Sequence, residues 1–301
     1  MALLNRIKSK LNRIKLTLSE KLMTAPSDIE SKRIYKLRSE LKGLANNKAL
    51  ATDFWAKKRE ELYNVVAIKD PRNFTNWPVM YPMFFNPDPL ELKSLQNENN
   101  WDFIKKLIIE DKIGNPVSYK DFPKSSGNLI HHTYSLVEYM KQSGNDPKTM
   151  NIIIEFGGGY GSFCRLLYKS GFRGTYIIYD LPEYSAFQDY FLSSLSMDLK
   201  IVRNEIINEP GTVCLISDVK LIENSINADL FIALWSLSEC PIELRENFYE
   251  QINKSSSLLI GFQEKFENIA NLDYFNSKFG QNPNSKIIAI NHMSQNYYLF
   301  K

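Results

Sequence analysis

Residues 151–161 read Asn-Ile-Ile-Ile-Glu-Phe-Gly-Gly-Gly-Tyr-Gly. Ile152, Ile153 and Ile154 stand in a row, and with Glu155 they carry the chain into a glycine turn. Three consecutive β-branched residues suit a parallel strand buried on both faces, where no polar alternation is needed. From Tyr160 onward, Phe163, Leu166 and Leu167 recur at helical spacing. Strand, glycine turn and helix in this order open a nucleotide-type βαβ unit.

Spacing inside the turn separates the candidates. Glu155, Gly157, Gly159 and Gly161 give acid-x-Gly-x-Gly-x-Gly. A dinucleotide fingerprint would need its third glycine at Ser162, counted from Gly157, or at Cys164, counted from Gly159. No Gly-Lys-Ser/Thr follows, which excludes a P-loop. Glycine lets the backbone approach a ligand closely and take positive φ. A carboxylate at the strand's end can accept from a cationic amino group. The plainer alternative is a turn that only packs helix against strand. As it stands, the pattern resembles motif I of the class I S-adenosylmethionine (SAM) methyltransferases. That resemblance implies SAM as cofactor, held at Glu155, Gly157, Gly158, Gly159 and Gly161. SAM has no phosphate, so a missing lysine is no objection.

Beyond this turn the chain alternates strand and helix. Residues 175–180 (Thr-Tyr-Ile-Ile-Tyr-Asp) form a second strand, with a helix over 184–195. The third strand is either 199–203 or 212–217; the fourth is 229–236 and the fifth 257–262. Pro241 sits at the favoured early position of a helix running to Asn253. Residues 286–290 and 297–300 read as a closing antiparallel pair. The expectation is an α/β fold: a Rossmann-like class I methyltransferase sheet, mostly parallel with an antiparallel edge hairpin, behind a helical N-terminal region. The divisions expected are a basic helix over 1–25, a helical cap or substrate region over 26–148, and a SAM-binding domain over 149–301.

The N-terminal half is helical in pattern. Leu4, Ile7, Leu11, Ile14 and Leu18 lie on one stripe of residues 1–23, with Arg6, Lys8, Lys10, Arg13, Lys15 and Lys21 around it. Such a helix suits a membrane surface, a partner helix, or its own protein. Ser27-Asp-Ile-Glu30 is a capping box opening a helix with Ile34, Leu37, Leu41 and Leu44. Helical patterns follow over 47–68, 90–96, 101–109 and 129–142. Between them, residues 70–89 carry five prolines interleaved with Phe74, Trp77, Tyr81, Phe84 and Phe85. This segment reads as a packed aromatic loop or as a platform for a sugar or lipid-linked acceptor.

Composition narrows the class. A net charge of +3 over 301 residues is too small to argue for nucleic acid. No apolar run is long enough for a membrane-spanning helix, and no signal peptide is expected. Cys164, Cys214 and Cys240 are odd in number and far apart, which reads as free thiols in a reducing cytosol. Three histidines make a His-rich metal site a poor expectation, and no ligand spacing supports Asp218, Glu239 and Glu264 as one.

In doubly wound sheets, ligands sit at the carboxyl ends of the strands. Asp180, nineteen residues beyond Gly161, fits a ribose diol with its two acceptor oxygens. Leu181 follows it, Ser217 and Asp218 end the third strand where a base could lie, and Trp235 ends the fourth. Four blocks, 155–161, 179–183, 229–239 and 261–263, together resemble the sugar O-methyltransferases of bacterial surface-polysaccharide biosynthesis. The resemblance covers residues 129–266 and implies a sugar or glycan acceptor. Members of that family often carry His before the acid of the fourth-strand block; here Ser238 stands there. A sugar hydroxyl is a poor nucleophile, so a general base should help. Candidates are Glu239, His132, His131 and, less favoured, Lys265. Adjacent helical residues point about 100° apart, so at most one of the two histidines faces the site. Two rival readings are a nicotinamide-dependent oxidoreductase and a non-catalytic assembly partner of the same fold.

Overall fold

Ser27 and Glu30 form the expected capping box: the Glu30 N–H donates to Ser27 Oγ at 3.3 Å and the Ser27 N–H to Glu30 Oε2 at 2.8 Å. The computed structural model describes residues 23–44, 50–85, 87–222 and 226–301. The basic helix expected over 1–23 therefore lies, but for Met23, outside the described residues. The capped helix is α1 (Asp28–Leu44), and it buries Ile34, Leu37 and Leu41. Helix α2 (Asp53–Ile68) follows, burying Leu62, Val66 and Arg59.

Prolines break residues 70–89 into two 3₁₀ turns, Pro71–Asn76 and Pro78–Met83, each with proline in its first turn. Phe74, Trp77 and Met80 are buried in the core, while Tyr81 is half exposed. Helices α3 (Pro89–Gln96) and α4 (Trp101–Leu107) come next. A small hairpin, β1 (Ser118–Tyr119) with β2 (Phe122–Ser126), leads into α5 (Gly127–Ser143). Ser126 caps α5 by accepting the Leu129 N–H at 3.1 Å, and Gly144 closes it at φ 72°.

The sheet begins at β3 (Ile152–Phe156) and continues α6 (Ser162–Ser170), β4 (Thr175–Tyr179), α7 (Pro182–Ser194), β5 (Lys200–Arg203) and β6 (Thr212–Ile216). Then come β7 (Leu230–Leu234), α8 (Ile242–Lys254) and β8 (Ser257–Gln263). A short ribbon of β9 (Lys265–Phe266) and β10 (Ile269–Ala270), helix α9 (Asn271–Phe279), β11 (Lys286–Ala289) and β12 (Asn296–Phe300) complete the chain. Strand order is β11-β12-β8-β7-β3-β4-β6-β5. Strands β3 to β8 run parallel, and β12 lies antiparallel between β8 and β11. This is a Rossmann-like, mostly parallel sheet with an antiparallel hairpin at one edge and β5 at the other. Both candidates for the third strand are strands: β6 is wholly buried, and β5 is a short edge strand beside it. The ribbon β9–β10 and α9 were not anticipated, although Phe275 and Phe279 already stand four residues apart in the sequence.

Successive residues of β3 point to opposite layers. Ile153 packs with α1, α2, α6 and α7 through Leu37, Leu62, Phe163 and Phe187, whereas Ile154 packs with α8 and α9 through Phe248 and Phe275. The helical N-terminal half thus shares one apolar layer with the sheet. Ion pairs fasten it: Arg59 of α2, buried, donates from Nε and Nη2 to the two oxygens of buried Glu183 on α7, both at 2.8 Å. Arg165 of α6 reaches Asp111 at 2.7 Å and the Leu107 carbonyl at 2.9 Å.

Candidate active site

The order of connection turns back at β3, with β4, β6 and β5 to one side of it and β7 and β8 to the other, and a cleft opens at the carboxyl ends of β3, β4 and β7. The glycine turn forms its floor. At Gly157, φ is 74°, the N–H donates to the Tyr179 carbonyl at 2.7 Å, and an added Cβ would come within 2.2 Å of Ser236 Cβ. Ser236 in turn donates its hydroxyl to the Phe156 carbonyl. No other residue fits that wedge. At Gly159, φ is 58°, and an added Cβ would meet only Met83 Sδ, at 3.6 Å, so this backbone faces open space beneath the proline-rich segment.

Two carboxyl groups flank the turn. Glu155 is buried and accepts the Tyr176 hydroxyl at 3.0 Å from the adjacent strand. Burial pushes its carboxyl up to about 8, against the pull of that hydrogen bond. Asp180 accepts from the Leu181 N–H at 2.8 Å on Oδ1, and from the Gly159 N–H at 3.1 Å and Gln188 Nε2 at 2.8 Å on Oδ2. Burial still raises it to about 7. Gln188 also donates to the Gly159 carbonyl at 3.0 Å, and its Oε1 is buried without a protein partner.

The cleft holds about 1090 Å³ of free space, its open mouth included. Glu155, Gly157, Gly158, Gly159, Asp180, Leu181 and Trp235 line it, as do His132 and Glu239. Gly161 starts α6 at φ 95° and packs against Leu192 instead of lining the cleft. Glu239 ends the 3₁₀ turn Ser236–Glu239 after β7. Its Oε2 accepts Trp55 Nε1 at 3.1 Å and its Oε1 accepts Gln263 Nε2 at 3.3 Å. Burial outweighs both donors and raises the carboxyl to about 7. Trp235 stands at φ 65°; its N–H donates to the Gly261 carbonyl at 2.7 Å and its Nε1 to Asn296 Oδ1 at 2.6 Å. Its ring meets Phe85 at 4.6 Å, and both residues line the cleft.

The two histidines part company, as helical geometry requires. His132 lines the cleft; its Nδ1 is buried without a partner, and burial followed by the neighbouring His131 drives it down to about 3, so the ring is neutral. His131 turns away. Its Nδ1 bonds Glu91 Oε1 at 2.8 Å, its ring stacks on Phe85 at 4.1 Å, and His292 Nε2 shares the same Glu91 oxygen at 2.8 Å. His131 therefore belongs to a buried cluster behind the cleft wall and not to its surface. Ser217 and Asp218 also lie elsewhere: they line an adjoining groove, which shares only Leu50, Tyr179 and Leu244 with the cleft. Asp218 there accepts the Lys220 N–H at 3.0 Å in a local turn. Lys265 does not line the cleft. Among the described residues no group of His, Cys, Asp and Glu could hold a metal ion.

Sequence reading missed Tyr176, Gln188 and Trp55, the donors to the three carboxyl groups, and, of the proline-rich segment, Pro82 and Met83, which line the cleft beside Phe85. Only the density of aromatics over 70–89 hinted at the last pair.

The sequence matches no family model and no curated protein. Solved structures are similar at low identity. One is magnesium protoporphyrin IX methyltransferase from Synechocystis with bound SAM, 13% identical over 69% of this chain and 93% of that one, TM-score 0.40. Another is coclaurine N-methyltransferase bound to N-methylheliamine and S-adenosylhomocysteine, 12% identical over 93% of this chain and 72% of that one, TM-score 0.36. A third is a ribosomal-protein methylase from Lactobacillus delbrueckii, 13% identical over 58% of this chain and 79% of that one, TM-score 0.39.

Proposed function

We propose that the protein is a SAM-dependent O-methyltransferase whose acceptor is a hydroxyl of a sugar or glycan. The observation that carries this is one cleft lined together by the acid–glycine turn, Asp180, Glu239, His132 and the aromatic rings of Trp55, Phe85 and Trp235. The donors and acceptors of the turn and of Asp180 fit SAM. Asp180 keeps lone pairs for vicinal hydroxyls, Gly159 leaves the backbone open, and Glu155 answers a cationic amino group. The amino terminus of α6 favours a carboxylate. When bound, SAM supplies a methyl group on a sulfonium.

The chain's own part is to hold the acceptor, exclude water and take a proton. Glu239, ionised, accepts the proton of the attacking hydroxyl; its carboxyl near 7 suits a base working at neutral pH. His132, neutral and unpartnered at Nδ1, orients the acceptor. Trp55, Phe85 and Trp235 offer flat apolar faces against which the C–H side of a sugar ring stacks, while Glu239 takes hydroxyls. The four sequence blocks that resemble the sugar O-methyltransferases support the same acceptor. Transfer of label from methyl-labelled SAM to candidate glycans tests the reading: a methyl ether on a sugar hydroxyl is expected, and SAM-independent chemistry or methylation only at nitrogen would contradict it.

A further inference from the structure

Resting on the function proposed above, the charge of the cleft carries an inference about the acceptor itself. Three carboxyl groups line it, Glu155, Asp180 and Glu239, and no Lys or Arg among the described residues does. Arg59 sits on α2 as Trp55 does, but its guanidinium is held by both oxygens of Glu183. Arg203 lines only the adjoining groove, where it is paired with Glu40. Uncharged donors complete the wall. Tyr184 is 2% exposed, lines the cleft, meets Trp55 edge-on at 5.7 Å, and its hydroxyl has no protein partner. Glu155 and Asp180 are assigned to the cofactor, which leaves Glu239 as the carboxyl group facing the acceptor.

We propose that the part of the acceptor entering this cleft carries no negative charge: it is a neutral or amino-bearing sugar, and not a sugar phosphate or a uronate. An anion brought into the cleft would lose its hydration, find no Lys or Arg among the described lining residues to pair with, and face the Glu239 carboxylate. A neutral hydroxyl finds the carboxylate oxygens of Glu239 and the Tyr184 hydroxyl, and an ammonium gains from the Glu239 carboxylate. Electrostatics here selects against the wrong partner as much as it binds the right one.

The test uses the full chain with methyl-labelled SAM and matched rings. Methyl glucoside and glucosamine are set against glucuronate and glucose 1-phosphate, and the galactose series is run likewise. SAM binding is measured separately by calorimetry. The expected result is transfer to neutral or amino members, with kcat/KM for each anionic partner at least ~10-fold lower. Equal or better transfer to the anionic members overturns the inference while leaving the methyltransferase reading intact. So does SAM binding without transfer to any neutral or amino member. Absence of SAM binding overturns the methyltransferase reading itself, and this inference with it.

Discussion

The indole N–H of Trp55, on α2, donates to Glu239 Oε2 at 3.1 Å across the cleft, joining the helical half of the chain to the loop after β7. Gln263 holds the other oxygen at 3.3 Å. Donation to a carboxylate favours its ionised form, whereas burial disfavours it. In Glu239 burial wins and sets the carboxyl near 7. Replacing Trp55 by Phe keeps most of the ring and removes the donor. The pH at which turnover reaches half its plateau is expected to move upward, with SAM affinity unchanged. An unshifted kcat–pH profile would show that this hydrogen bond does not govern the titrating group.

A base must be ionised to accept a proton, so turnover should rise with pH through about 7 and then level. Glu239→Gln is expected to lower kcat by ~10²–10⁴-fold and to abolish that rise. His132→Gln is expected to cost less and to keep the rise, because a ring driven down to about 3 does not change charge near neutrality. A rise that survives in Glu239→Gln and vanishes in His132→Gln would reverse the two roles.

What the sequence discloses here is local. The apolar run before Glu155, the glycine spacing, the Asp at the end of the second strand and the Ser27 capping box each lie within a few residues of what they determine. Lost to view are contacts between distant segments: Trp55 to Glu239 spans 184 residues and Tyr176 to Glu155 depends on how β4 registers against β3. Periodicity says that His131 and His132 diverge, but only the packing of Glu91 and Phe85 decides which one is withdrawn. Ser217 and Asp218 end the right strand, yet their turn opens on the neighbouring groove.

Stability of the ligand-free protein should fall as pH rises from about 4.5 to about 8. Glu155 is raised from 4.5 to about 8 in the fold, so over that window the unfolded chain releases a proton that the folded one keeps, and unfolding is favoured. Glu155→Gln removes this contribution. Its stability relative to the parent chain should improve by at least ~1 kcal/mol between pH 5 and pH 8, as read from urea unfolding. A difference that stays constant across pH would contradict the assignment.

Arg59 and Glu183 are both buried and bonded through two parallel contacts at 2.8 Å. Removing one partner strands the other's charge. Arg59→Met is expected to destabilise the fold by ~3–5 kcal/mol, and the double variant with Glu183→Leu should recover much of that loss. Denaturation of both variants measures it; a single variant as stable as the parent would mean that the pair does not fasten α2 to α7.

Asp180 and the acid–glycine turn are the groups proposed to hold SAM. Asp180 already satisfies three protein N–H donors and is positioned by Gln188, so its remaining lone pairs are fixed in the cleft. Its removal leaves ligand hydroxyls unpaired, at a cost of about 1–3 kcal/mol. The most direct measurement is calorimetric titration of the parent chain and of Asp180→Ala with SAM. Saturable binding to the parent, weakened about 10- to 100-fold in the variant, is the predicted result; no binding to the parent, or equal affinity in both, would contradict it.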